Sequence, residues 1–119
     1  MEYGVTQTTH ARKAWQGDHP PVLVAGTLVA GQNLEDAAVL GRITASGKVT
    51  RFDPAGGDGS ETAVGVLMGA TDAGAADEPC IVMVHGAPLK NELVWPAGIT
   101  LEQQTAGEAQ LFSAGLYLK

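Results

Sequence analysis

Apolar and polar positions divide the chain into three textures. Residues 1–20, "MEYGVTQTTHARKAWQGDHP", are polar, hold no sustained period of 2 or 3.6, and end at Pro20-Pro21. This pattern predicts an extended arm, disordered in the free protein. By itself it fits a frayed terminus without a role better than a working one. From Pro21 the chain turns apolar. "PVLVAGTLVAGQNL" is broken by Gly26 and Gly31, and "VLGRIT" and "KVTRF" alternate apolar with polar around Ser46-Gly47. That alternation predicts a hairpin, with glycine supplying the positive φ of the tight turn. "DPAGGDGSET" (53–62) reads as a hairpin loop, "AVGVLM" (63–68) as a buried strand and "GATDAGAADEP" as a second small-residue loop. "CIVMVHG" (80–86) is the most β-branched strand, and "NELVW" is a further short candidate.

The third texture begins at Thr100. A threonine with Gln103 three residues on is a capping box. Leu101, Thr105, Ala109 and Phe112 then share one face of a helix. Gly107 weakens that helix by about 1 kcal/mol relative to Ala, and Gly115 is its natural stop. "LYLK" reads as a closing strand. The order is strands, one helix, one strand. It predicts a mainly β fold of short strands with one short C-terminal helix, and it disfavours a parallel nucleotide-binding sheet.

Composition sharpens this. A chain of 119 residues supports one core, here assigned to 21–119 with 1–20 as the arm. Apolar residues make up 45% but aromatics only 5%, so Val, Leu, Ile and Ala must build the core. Sixteen glycines and six prolines suit many turns. The net charge of −6, with basic residues scattered, argues against nucleic acid or an anionic membrane as partner. Cys80 is the only cysteine, so no intrachain disulfide forms. The N-terminus lacks the basic-then-apolar order of a secretory signal, and no run has transmembrane length. A soluble protein made in the cytoplasm is expected.

Candidate chemistry is sparse. The Gly-rich stretch "PAGGDGSET" lacks the Lys-Ser/Thr pair and following helix of a phosphate-binding loop. Asp53, Asp58 and Glu61 do not have calcium-loop spacing. His10, His19 and His85 lack the close spacing of a zinc site. Cys80 and His85 are five apart, which on a regular strand puts them on opposite faces. Cys80 is then a small core residue and His85 a strand-end polar group. The acidic stretches "NLEDA", "GDGSE" and "AADE" read as solvated loops. Trp95-Pro96 reads as a structural anchor: the indole pins the end of a strand and the proline turns the chain toward Thr100. Neither an enzyme, nor a cofactor, nor a metal, nor a small-molecule substrate is expected.

The block "VLGRITASGKVTRFDPAGGDGSETAVGVL", then "LVWPAGIT", a short helix and "AGLYLK", resembles the head decoration proteins of tailed bacteriophages over roughly residues 20–119. Its most specific pieces are Phe52-Asp53, Ala63-Val64-Gly65-Val66-Leu67, Val94-Trp95-Pro96 and the helix ending at Gly115. The resemblance implies a β-clip type of domain. It also implies a homotrimer that sits on three-fold and quasi-three-fold positions of the expanded capsid and stabilises the head against internal DNA pressure. The partner would be the major capsid protein lattice, and the location the outer surface of the virion. It further implies N-terminal arms that become ordered on the capsid, the place held here by Met1 to Pro20.

Physical reasoning agrees with such an arm. Ordering about 12 residues costs roughly 12–24 kcal/mol of backbone entropy. Burying Tyr3 and Trp15, at ~150–250 Å² each and ~25 cal/mol/Å², returns only about 8–12 kcal/mol. A neighbouring sheet edge would add main-chain hydrogen bonds. "YGVTQTTH" has strand composition, with Tyr3, Val5, Gln7 and Thr9 on one face. These four and Trp15 are the candidate lattice contacts. The principal alternative is a small β-barrel adaptor of the phage tail or neck. A small enzyme built on Cys80, His85 and the Asp53–Glu61 loop is the other.

Overall fold

A computed structural model describes residues 21–119. The arm, and with it Tyr3, Val5, Gln7, Thr9 and Trp15, lies outside the described residues. Seven strands come first: β1 (Val22–Leu28), β2 (Gln32–Leu34), β3 (Val39–Arg42), β4 (Val49–Arg51), β5 (Ala63–Met68), β6 (Thr71–Ala73) and β7 (Glu78–His85). One helix, α1 (Leu101–Ala114), follows. The mainly β expectation with a single C-terminal helix holds.

Five strands close a barrel in the order β1-β4-β3-β5-β7, and β2 pairs with β6 in a separate two-stranded sheet. Closure comes from the antiparallel β1–β7 pairing, which runs from Val22↔His85 to Leu28↔Glu78 with an irregularity after Val22. The strands of "AVGVLM" and "CIVMVH" bury residues on both faces, which is why they read as continuous apolar runs. One buried cluster, with Val39, Phe52, Val66, Met83, Leu93 and Leu116, takes in Leu111 of α1. The other gathers Leu28, Leu40, Val49, Leu67, Cys80 and Val82 with Leu34 of β2 and Ala73 of β6.

The hairpin read around Ser46-Gly47 is β3–β4, and Gly47 takes φ 75°. Four local expectations need correction. Residues 53–62 are not a hairpin loop, because β4 and β5 flank β3 on opposite sides. The loop crosses from one neighbour of β3 to the other. "GATDAGAADEP" contains β6, whose partner β2 is far off in sequence. "NELVW" forms a 3-10 turn at Lys90–Glu92 and then a lone parallel bridge between Val94 and Ala38. The following Pro96 has no N–H with which to extend that pairing. "LYLK" likewise makes one parallel bridge, Leu116 to Gly86, and further backbone hydrogen bonds join Tyr117 to Gly86 and Lys119 to Pro88 and Lys90. The carbonyl of buried Pro88 accepts from Lys119 N–H at 3.1 Å, but its nitrogen has nothing to donate in return.

The acidic loops are more than solvated. Asp36 Oδ1 accepts from Gly69 N–H at 2.7 Å, tying the loop before β3 to the one after β5. Asp77 accepts from Ala30 N–H at 2.8 Å and from Lys48 Nζ at 2.5 Å, so one carboxylate joins three loops. Asp58 accepts from the Ser60 hydroxyl at 2.5 Å and from its N–H at 3.1 Å. These donors favour the ionised form. The Lys48 ammonium first and Ala30 N–H second hold Asp77 below the ordinary carboxylate value of 3.8. The Ser60 hydroxyl and then its N–H do the same for Asp58.

A carboxyl depressed in the folded state stabilises the fold above its unfolded value and loses that contribution as pH falls through the lower folded value. Asp77→Asn is therefore expected to lower urea stability at neutral pH, with the gap to wild type closing as pH falls below 3.8. Urea titrations from pH 7 to 2 check this. Because the pair is exposed, the gap should also shrink in high salt.

Candidate attachment surface

Helix α1 begins as its sequence requires. Thr100 Oγ1 accepts from Gln103 N–H at 3.0 Å, and Gln103 Oε1 accepts from Thr100 N–H at 3.1 Å. It ends at Gly115, left-handed at φ 114°, whose N–H reaches the carbonyls of Leu111 and Phe112. Gln110 Oε1 accepts from Ala63 N–H at 2.8 Å and fastens the helix to the start of β5.

The helix docks through its smallest residue. A Cβ on Gly107 would stand 2.7 Å from Trp95 Cζ3 and 3.0 Å from Phe52 Cε2. Phe52 and Trp95 meet edge to face, with ring centroids 5.9 Å apart. The glycine that looked like a weakness is thus the site where the helix backbone reaches the aromatic pair. Trp95 is half-buried against the cluster under α1. Its indole N–H is buried without an acceptor among the described residues. Pro96 follows at half burial, lining an open groove of about 530 Å³ with Gln32, Asn33, Arg51, Asp53 and Asp58. Much of that groove's polarity is engaged within the chain: Gln32 Oε1 accepts from Arg51 N–H at 3.2 Å, and Asp53 Oδ1 from Ala55 N–H at 3.0 Å.

Leu101, Thr105, Ala109 and Phe112 do share a face, but that face points outward. Leu101 is 80% exposed and Phe112 62%. Inward go Gly107 and Leu111. The apolar stripe continues past the helix: Phe112 meets Tyr117 edge to face at 5.3 Å, and Tyr117 meets His85 at 5.6 Å. His85 pairs with exposed Val22, and Val24 follows on the same side of β1. Beside them sits Pro21, its Cα 3.4 Å from a Cβ built on Gly86. The described chain therefore begins at the margin of this aromatic patch. An exposed apolar patch of this kind is a candidate contact surface. The face was legible as a period in the sequence; its direction was set by Gly107 and its distant partners.

The residues proposed for chemistry are spread apart in character. Cys80 is buried in the second cluster, and desolvation pushes its thiol above 9.0, away from the reactive thiolate. His85 lies at the far end of β7, against Tyr117. Asp58 and Glu61 accept hydrogen bonds from Ser60 and Gly59 within their own loop. Among the described residues, no three His, Cys, Asp or Glu side chains are grouped to hold a metal, and no helix is long and apolar enough to cross a membrane.

What this arrangement offers is a surface for contact: a tied-down barrel with one exposed aromatic margin beside Pro21. That is the outline of a structural attachment module. The family model described as bacteriophage lambda head decoration protein D matches residues 14–116, and the chain belongs to that family of structural capsid proteins. Its role is accordingly capsid decoration, and its place the phage capsid. No curated protein matches the chain.

Gly107→Ala should reverse the usual helix rule. In an open helix it would gain about 1 kcal/mol. Here the added methyl must displace a packed indole, and overpacking of this kind costs typically about 1–3 kcal/mol. A lower Tm in thermal melts, with reduced near-ultraviolet tryptophan dichroism, is the expected result.

Proposed function

We propose that the chain is a cementing subunit. It binds as a homotrimer at three-fold and quasi-three-fold sites on the outer surface of the expanded head and stabilises the shell against the pressure of packaged DNA. Residues 21–119 form the decoration domain and residues 1–20 the arm that grips the major capsid protein lattice. The observation that carries this reading is the family match across residues 14–116. The geometry supports it further, because the arm's root and the exposed aromatic margin occupy one end of the barrel. An end that presents both would be the one to face the lattice.

The arm would act by adding a strand to a lattice sheet edge, with Tyr3, Val5, Gln7 and Thr9 on one face and Trp15 as the larger apolar contact. Three arms on one trimer bind at high effective concentration, so modest contacts sum to firm attachment. Trp95 and Pro96 serve as the anchor that seats α1. A clamp across lattice joints needs no reacting group, cofactor or metal. Synthesis in the host cytoplasm followed by addition to the finished shell suits a chain of net charge −6, which discourages binding to DNA.

Deleting residues 2–19 should leave a folded trimer that no longer binds DNA-filled particles, read by light scattering and by electron microscopy for knobs at three-fold positions. Unchanged decoration by the truncated protein would move the contact onto the barrel. Trp15→Ala should weaken attachment without altering the Tm of the free trimer. A wild-type protein that is monomeric at micromolar concentration would instead favour an adaptor.

A further inference from the structure

We infer that Asp58-Gly59 is the chain's site of spontaneous isoaspartate formation, and that the hydrogen bonds of the crossover loop keep it closed to that reaction until the loop opens. The inference is independent of where the chain attaches. Among the sixteen glycines, Gly59 alone follows an aspartate or an asparagine. A residue without a side chain leaves its backbone nitrogen open to the carboxyl before it, so this dipeptide is the one most disposed to ring closure.

The reaction is a rearrangement without net change of mass. The Gly59 nitrogen bonds to Asp58 Cγ. One carboxyl oxygen leaves as water, taking the amide proton and the carboxyl proton, and a cyclic succinimide remains. Water then adds at either of its carbonyls. Addition at the former main-chain carbonyl breaks that carbon's bond to the Gly59 nitrogen. The chain thereafter runs through Asp58 Cβ and Cγ, and the old carbonyl becomes a free carboxylate.

The fold requires both members of the pair. Gly59 stands at φ 109°, and a Cβ there would run into the Arg42 carbonyl oxygen and Thr44 Oγ1. Any other residue would meet that obstruction together with the cost of positive φ. Asp58 supplies the acceptor for the hydroxyl of buried Ser60, and a buried hydroxyl left unmatched is costly.

The same contacts restrain the reacting atoms. Asp58 Oδ1 accepts from the Ser60 hydroxyl at 2.5 Å and from Ser60 N–H at 3.1 Å. Both donors favour the ionised carboxylate, which has no hydroxyl to lose as water. Gly59 N–H donates to Glu61 Oε1 at 2.9 Å. Ring closure must remove that proton, and negative charge growing on the nitrogen is opposed by the carboxylate beside it. The main chain is held on both sides. Thr44 N–H donates to the Asp58 carbonyl at 2.8 Å, and Asp53 N–H to the Ser60 carbonyl at 2.9 Å. Closure therefore waits for a local opening of residues 53–62 in which these bonds are lost together. Once isoaspartate has formed, the amide carbonyl that Thr44 holds no longer exists, and the loop cannot return to its first arrangement.

The test is ageing of the full-length chain at neutral pH, folded and in urea, with peptide mapping in heavy-oxygen water to locate each isoaspartate and follow its formation. In urea Asp58 should be the first aspartate to isomerise. In the folded protein its rate should be lower by about tenfold or more, the factor that one lost hydrogen bond to a charged group corresponds to. Ser60→Ala and Glu61→Ala should each raise the folded-state rate by about tenfold, with unchanged far-ultraviolet dichroism. Glu61→Gln, which keeps an oxygen in that place, should stay nearer to wild type than Glu61→Ala.

Equal rates at Asp58 in folded and unfolded protein overturn the inference, as does another aspartate reacting first in urea. Folded variants that age like wild type also overturn it. A slower reaction in Glu61→Ala would make Glu61 the base that takes the proton, and the restraint assigned to it would be wrong. Should Ser60→Ala fail to fold, the comparison with urea and the two Glu61 variants decide the matter.

Discussion

The pairing of β1 with β7 is the constraint from which the rest follows. It closes the barrel, and it does so between the first and last strands of the described chain. Because Val22 is set against His85, the point where residues 1–20 join the barrel lies beside the turn at Gly86. Because Leu116 bridges to the same Gly86, the segment after α1 is brought to that place too. The aromatic margin of His85, Tyr117 and Phe112 is thus a product of the bridge between Gly86 and Leu116 and not of any local motif. A barrel left open between β1 and β7 would expose two strand edges and part Pro21 from the apolar face beside it.

Closure also explains the second dependency, the seat of α1. Cluster residues from β3, β5 and β7 present one floor, on which Phe52 and Trp95 stand. The helix reaches that floor only where it has no side chain, at Gly107, and drops Leu111 into the cluster one turn later. With this face consumed by packing, the opposite face must carry Leu101 and Phe112 outward. Burial under the helix and exposure above it are one geometric fact.

What could be read from the sequence divides along the range of the interactions involved. Thr100 and Gln103 announced the helix start because both halves of the capping box are within four residues. Ser46-Gly47 announced β3–β4 because a tight turn and its strands are contiguous. β6 escaped because its three residues, Thr71–Ala73, include an aspartate and a small alanine, and their pairing depends on distant β2. "NELVW" has strand composition, but Pro96 stops its pairing after Val94. For the candidate site, the period of Leu101, Thr105, Ala109 and Phe112 was visible while its direction was not. Gly107 read as a flaw for the same reason: the rings it accommodates belong to other parts of the chain. The loop carboxylates are the remaining case, since a solvated aspartate and one that ties two loops look alike until the donor N–H is placed.

Those carboxylates bear on what the molecule does. A cementing clamp of the kind proposed transmits load through whatever connects its contacts, and long loops are ordinarily the compliant parts of a small barrel. Here Asp36 fastens the loop before β3 to Gly69, and Asp77 gathers Ala30 and Lys48 onto the approach to β7. Asp58 and Glu61 fold the crossover loop onto itself. Each tie is weak and partly open to water, worth little to global stability. Stiffness is a different property, because several short bonds at separate places restrain the loops even where each adds little free energy. A domain with few aromatics and many glycines thereby holds its loops to the barrel with its own acids.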